Sequence, residues 1–207
     1  MNIVDRIVEL LADSDSDKRI IIGISGPPGA GKSTLARDIQ HQLQEHSVNS
    51  VIAQADAFSF SDNVLSELNA SDRKGAPDTF DIDGYVHLLN RLKNADKTVY
   101  IPSFSTIHAA GVVGDVTASP DTRVVIAEGS YLGCDDHGWD QVRPLLDELH
   151  YLDGDVNVLY RRLLGEQLSQ GKNRQEADNW VTEVGLPNIF LVKDTEGNAD
   201  QVISSNN

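Results

Sequence analysis

The stretch "ISGPPGAGKST", Ile24 to Thr34, decides how this chain folds. Gly26 to Ser33 fits the pattern G-x-x-x-x-G-K-[ST]. The segment before it, "RIIIGIS" (Arg19 to Ser25), is a nearly continuous apolar run, as in a strand buried on both faces. The segment after it, "KSTLARDIQHQLQEH" from Lys32, reads as a helix. A strand, a glycine-rich turn and a helix form the context in which this pattern holds phosphate. Glycines let backbone amides turn inward around an anion, and the helix N-terminus adds partial positive charge. Gly26, Pro27, Pro28, Gly29, Ala30, Gly31, Lys32, Ser33 and Thr34 are therefore the expected cradle for ATP. Lys32 is expected to reach the β- and γ-phosphates, and the Ser33 hydroxyl to complete the coordination of Mg2+.

Strands and helices alternate outward from this loop. "VNSVIAQA" reads as a second strand and "SDNVLSEL" as a short helix. "RKGAPDTF" is a loop punctuated by Gly75 and Pro77. Asp81 can cap a helix from Ile82 to about Asn94, with Tyr85, Leu88, Leu89 and Leu92 on one face. "KTVYIPSF" is a short strand expected to stop at Pro102, and "DTRVVIAEG" is the next buried strand. "WDQVRPLLDEL" reads as helical despite Pro144, followed by a short strand "HYLD". Asp155 caps a helix through about Leu168, and a further helix follows a break at Gly171. "LPN" opens a last short helix, and "DQVIS" reads as an edge strand. The amphipathic start, with Ile3, Val4, Ile7, Val8, Leu10 and Leu11, is a helix rather than a secretion signal. No repeat or linker interrupts the alternation. The expectation is one domain over residues 1–207: an α/β P-loop NTPase fold with a mainly parallel sheet and helices on both faces.

In such a sheet, ligands bind beyond the carboxyl ends of the strands. Asp56 follows the second strand and Glu128 ends the "VVIA" strand. Phosphoryl transfer needs one acid to orient and deprotonate an acceptor hydroxyl and another to hold magnesium, and these two are placed for those jobs. The bland alternative for each is a cap or loop carboxylate at a strand end. Phe58 and Phe104 flank the same place, where an aromatic packs either on a sugar or base or simply into the core. Cys134, in "GCDDHGWD", sits beside two acids and is a poor nucleophile, and the spacing there matches no zinc signature. Tyr85, Trp139 and Trp180 read as core.

Composition narrows the class further. Asp and Glu number 32 against 17 Lys and Arg, a net charge of −15, which disfavours a nucleic-acid surface. A single cysteine rules out an internal disulfide, and no apolar run approaches the length of a membrane span. A soluble, cytoplasmic protein acting on a small molecule is expected.

Four segments in order carry a resemblance: "GPPGAGKST", "DAF" at Asp56, "RKGAPDTFD" (Arg73 to Asp81) and "VVIAEGSYL" (Val124 to Leu132). Together they resemble the phosphoribulokinase, uridine kinase and bacterial pantothenate kinase superfamily. The likeness is strongest to its nucleoside- or sugar-kinase-like branch and extends to "GKNRQEADNWVTEVGLPN". The resemblance implies a small helical lid, at about residues 163–175, and a transfer of the γ-phosphate of Mg-ATP to a metabolite hydroxyl. It makes Asp56 the catalytic base, Glu128 the magnesium-linked acid and Arg162 a lid arginine facing the phosphates. It places Lys74 near the acceptor and leaves a homodimer open, since relatives often dimerise.

The branch's pattern is also broken. "DGFH" is here Asp56-Ala57-Phe58-Ser59, and an Asp-Arg pair after "P-x-F" is replaced by Ser105-Thr106. A second lid arginine gives way to Gly165 and Glu166, with Lys172 and Arg174 nearby as displaced cations, and "EGN" becomes Glu128-Gly129-Ser130. Two readings follow: a kinase for a different, less anionic acceptor, or an ATP-binding protein whose acceptor site is degenerate and whose role is regulatory or binding.

Overall fold

The computed structural model describes residues 2–14, 18–94, 96–105 and 110–204. The helices are α1 (Ile3–Asp13), α2 (Lys32–Glu45), α3 (Asp62–Glu67), α4 (Ile82–Lys93), α5 (Val156–Ser169), α6 (Arg174–Trp180) and α7 (Leu186–Lys193). The strands are β1 (Ile20–Ser25), β2 (Ser50–Gln54), β3 (Val99–Ser105), β4 (Ala110–Ala118), β5 (Val124–Glu128), β6 (Glu148–Asp153) and β7 (Gln201–Ser204).

Among the described residues, β2, β5, β1, β6 and β7 lie side by side in that order, every pair parallel. The order reverses at β1, whose carboxyl end feeds the phosphate loop, as the rule for open α/β sheets requires. Alternate residues of β1 serve opposite faces. Ile20, Ile22 and Ile24 pack with Val4 and Ile7 of α1 and with Ala36, Ile39 and Leu43 of α2. Ile21 packs on the other side with Tyr85, Leu88, Leu89 and Leu92 of α4. This two-faced burial is why the strand reads as an unbroken apolar run. Leu159 and Leu163 of α5 and Ile189 of α7 form a third cluster against Leu152 and Ala30.

Four elements differ from the expectation. Pro102 does not stop its strand. β3 runs on to Ser105 and pairs antiparallel with β4 as a ribbon separate from the main sheet. The register shifts between Ile101 and Ser103, so Pro102, which has no N–H to give, sits at the irregularity where none is needed. The second strand of the ribbon, β4, has no counterpart in the sequence reading. The segment 139–149 is not a helix but two short 3-10 turns, Trp139–Gln141 and Arg143–Leu145, leading into β6. Trp139 Nε1 donates to Pro77 O (3.0 Å), and Asp147 Oδ2 accepts from the Ile21 amide (2.7 Å). These two ties pin the segment at both ends before a full turn of α-helix can continue. Finally, α6 does not end before α7: a π-helical turn, Val181–Gly185, joins them. The edge strand at 201–204 is present as expected. No helix of the described residues is long and apolar enough to cross a membrane.

Candidate active site

The loop between β1 and α2 adopts the backbone the sequence calls for. Gly26, Gly29 and Gly31 have φ of 146°, 80° and 99°, all in the region that L side chains avoid. At Gly26 the need is also spatial, because a Cβ there would lie 2.3 Å from the Leu152 carbonyl oxygen of the neighbouring strand. Among the described residues, the amides of Gly29, Gly31, Lys32 and Ser33 meet no backbone carbonyl. They are the free donors of a helix N-terminus and its preceding nest.

Lys32 is buried at the base of this nest. Its Nζ donates to Pro27 O (3.1 Å) and Ser130 Oγ (2.9 Å). Burial lowers its pKa, opposed by the charges of Glu128, Asp56 and Glu166. Ser33 Oγ donates to Glu128 Oε1 (3.0 Å), and Gln54 Nε2 donates to the same oxygen (3.1 Å). The register explains the meeting: Gln54, Glu128 and Ile24 are partners on adjacent parallel strands, so Gln54 and Glu128 point to the same side of the sheet.

Asp56 sits in a short 3-10 turn, Ala55–Phe58, just past β2. Its side chain is open to solvent. Although its surface is exposed, desolvation of the carboxylate by the surrounding protein raises its pKa to about 6, with Glu128 and Glu166 adding to the shift and Lys32 opposing it. Two carboxylates, a lysine and a serine hydroxyl thus share one small volume at the carboxyl end of the sheet.

Other expected residues are spread around this centre. Arg162, on α5, donates through Nη1 to Gly29 O (3.0 Å) and Ala30 O (3.4 Å), so it reaches the loop along its carbonyl edge. Lys74 is paired with Asp62 (2.6 Å). Phe58 packs edge-on against Tyr85, with ring centroids 5.4 Å apart, and also lines a groove of about 330 Å³ with Ser59, Phe60, Asp81, Pro102 and Val113. Phe104 meets the site through its backbone, donating to Gln54 Oε1 (3.0 Å). A larger hollow of about 630 Å³ lies elsewhere, at the far end of α2 around His41 and Asn49, away from every one of these groups.

A family model described as "Phosphoribulokinase / Uridine kinase family" matches residues 21–184. This chain belongs to that family. It is 34% identical over 179 residues to a protein of Schizosaccharomyces pombe provisionally named uridine kinase C227.14, covering 81% of this chain and 73% of that one. It is 31% identical over 111 residues to pantothenate kinase of Enterococcus faecalis, covering 53% of this chain and 36% of that one. Among solved structures it is similar to a protein from Silicibacter sp. TM1040 provisionally described as a fructose transport system kinase. The TM-score is 0.87 at 28% identity, over 98% of this chain and 99% of that one. The kinase fold and the nucleotide-binding character of the phosphoribulokinase/uridine kinase family are therefore this chain's own, while its relatives carry names with different acceptors.

Members of this family use ATP and Mg2+, and the residues present fit both. The unpartnered amides and buried Lys32 suit a polyphosphate, and the Ser33 hydroxyl with the almost fully buried Glu128 (2% exposed) offers hard oxygens to a divalent cation. Of the displaced cations considered for the lid, neither turns to the phosphate loop. Lys172 lies over the Trp180 ring, 5.2 Å from its centroid, and bonds Gln167 Oε1. Arg174 lies near the Tyr160–Asp178 pair. Thr106 falls outside the described residues. Tyr85 and Trp139 are core residues, as read. Burial with Asp135 and Asp136 pushes the Cys134 thiol up to about 12.

Sequence reasoning missed two site residues. Gln54 is one, an amide in a strand with no motif to flag it. Ser130 is the other: it was noted only as a departure, yet its hydroxyl holds Lys32 and its carbonyl accepts from Ser25 Oγ (3.0 Å).

Proposed function

We propose that the chain is one kinase unit that transfers the γ-phosphate of Mg-ATP to a hydroxyl of a small metabolite, of the nucleoside, sugar or pantothenate-like class. The observation that supports this most is the shared cluster of Lys32, Ser33 and Glu128 with Asp56 facing it across the cleft. The loop amides and Lys32 hold the β- and γ-phosphates. Ser33 and Glu128 hold magnesium, which when bound neutralises charge on the transferring group. Asp56 accepts the acceptor's hydroxyl proton. A base pKa raised toward neutrality retains its carboxylate near pH 7 and binds the proton better than an ordinary aspartate does. Arg162 and the segment around residues 163–175 close over the loop. Phe58, Lys74 and the ribbon end at Phe104 border the acceptor. Glu166, in place of a lid arginine, disfavours acceptors that already carry phosphate, because its charge reaches Asp56.

The test combines a screen with a variant. Nucleosides, sugars and pantothenate-like alcohols are added with Mg-ATP, and any that raise the melting temperature are assayed for phosphorylation. Asp56→Asn is expected to abolish transfer, by about a thousandfold or more, with ATP affinity retained. ATP binding with no phosphorylated acceptor across the screen favours the degenerate, regulatory reading instead. Equal turnover in Asp56→Asn overturns the role of that residue.

A further inference from the structure

Gln54 is bonded at both ends of its amide. Its Oε1 accepts from the Phe104 N–H (3.0 Å), and its Nε2 donates to Glu128 Oε1 (3.1 Å). A backbone N–H can only donate, so the Phe104 contact fixes which end of the carboxamide is oxygen. The NH2 group is thereby aimed at the carboxylate. Glu128 Oε1 then carries two donors, Gln54 and Ser33, on one side.

The same rung of the ribbon is anchored a second time. Phe104 pairs with Gly111 across the ribbon. Gly111 packs so closely on the turn after β2 that a Cβ there would lie 2.1 Å from the Ala57 carbonyl oxygen. Gln54 and Ala57 stand on either side of Ala55-Asp56 in the chain. One rung of the ribbon therefore grips the chain before and after Asp56 and reaches, through one amide, the carboxylate beside Ser33.

We propose that Gln54 is a positioning residue, orienting Glu128 and coupling it to the ribbon, so that filling the metal–nucleotide site and setting the wall beside Asp56 are linked. The proposal rests on the kinase reading of Glu128. Partners of this kind, which orient a metal-binding carboxylate, change metal affinity about 10- to 100-fold when removed.

The test titrates a non-hydrolysable ATP analogue into the full chain by calorimetry, with and without Mg2+, and follows the amide resonance of Phe104. In wild type, Mg2+ is expected to tighten binding and to shift the Phe104 amide. In Gln54→Met the gain from Mg2+ is expected to fall about tenfold, the Mg2+-free affinity to stay within about twofold, and the Phe104 response to vanish. Gln54→Asn retains an amide too short to span both partners and is expected to behave the same way. An undiminished gain from Mg2+ in both variants, with wild type still responding, overturns the coupling and leaves the kinase reading standing. Equal loss of affinity with and without Mg2+ marks a merely structural residue and also overturns it. Wild-type binding indifferent to Mg2+ overturns the kinase reading and this proposal together.

Discussion

At Asp56, geometry and titration meet in one side chain. The folded protein holds its pKa near 6, against 3.8 for an ordinary aspartate. The fold therefore binds the proton more tightly than the unfolded chain does. Stability contributed by protonated Asp56 is present below pH 3.8 and is lost as the pH rises through about 6. Asp56→Asn mimics the neutral form, so without Mg2+ or nucleotide it should melt above wild type at pH 7.5. The gap should narrow steadily as the pH is lowered from 7 toward 4.5. Melting curves at a series of pH values check this, and a gap independent of pH would mean the carboxylate's charge is not what strains the site. If Asp56 is the base, kcat/KM for the acceptor should fall on the acid side with a limb near pH 6. Lys32 shows the complementary logic. Burial lowers its pKa, and the charges of Glu128, Asp56 and Glu166 oppose that shift.

At the scale of elements, the ribbon of β3 and β4 is the piece that packs against the turn carrying Asp56. Its attachment depends on the absence of a side chain at Gly111. Gly111→Ala should push the ribbon from the turn that carries Asp56 and lower stability by about 1–3 kcal/mol. Mg2+-free nucleotide affinity should change little, while the gain from Mg2+ should shrink if the ribbon is coupled to Glu128 through Phe104 and Gln54. Hydrogen exchange is the direct measurement: amides of β3 and β4 should lose protection while those of β1 and α2 retain theirs. Unchanged protection in the ribbon would show that the close approach is not needed. The ribbon was only half legible. The alternating run before Pro102 marked β3, but "AGVVGDVTA" holds three glycine or aspartate interruptions and a short apolar pair, too weak a pattern to declare a strand. The 139–149 segment misled in the opposite direction. Trp139, Val142, Leu145 and Leu146 have helical spacing, yet their burial is met by 3-10 turns tied to Pro77 and Ile21.

Across the whole molecule, the residue that joins most parts lies outside the site. Arg19 precedes β1 and is 1% exposed. Its guanidinium donates to Thr122 O (3.2 Å), Leu92 O (3.1 Å), Asn94 O (2.5 Å), Lys97 O (3.4 Å) and Ser119 O (2.9 Å). It thereby caps the carboxyl end of α4, where a cation also meets the helix dipole, and ties that end to the turn before β5. Burial lowers its pKa, with Asp96 and Asp121 opposing the shift. Arg19→Met removes every one of these donors and leaves buried carbonyls unpaired, so a loss of about 3 kcal/mol or more is expected in urea unfolding. A loss under about 1 kcal/mol would mean that water replaces the guanidinium at little cost.

What the sequence determined by itself was whatever is contiguous. The phosphate loop is one unbroken segment whose glycines dictate its backbone, so its shape and its lysine and serine could be read directly. The central strands could be read too, since burial on both faces leaves an apolar run that no other environment favours. Asp56 and Glu128 could be named as candidates because strand ends at a switch in sheet order are where ligands bind. The tertiary structure alone decided what surrounds them. The Gln54–Glu128 contact requires β2 and β5 to align at one register, and the grip of Phe104 and Gly111 requires an antiparallel ribbon to dock at one rung. Register is set by packing between segments far apart in the chain, and a polar side chain in a strand carries no signal of the partner it will face.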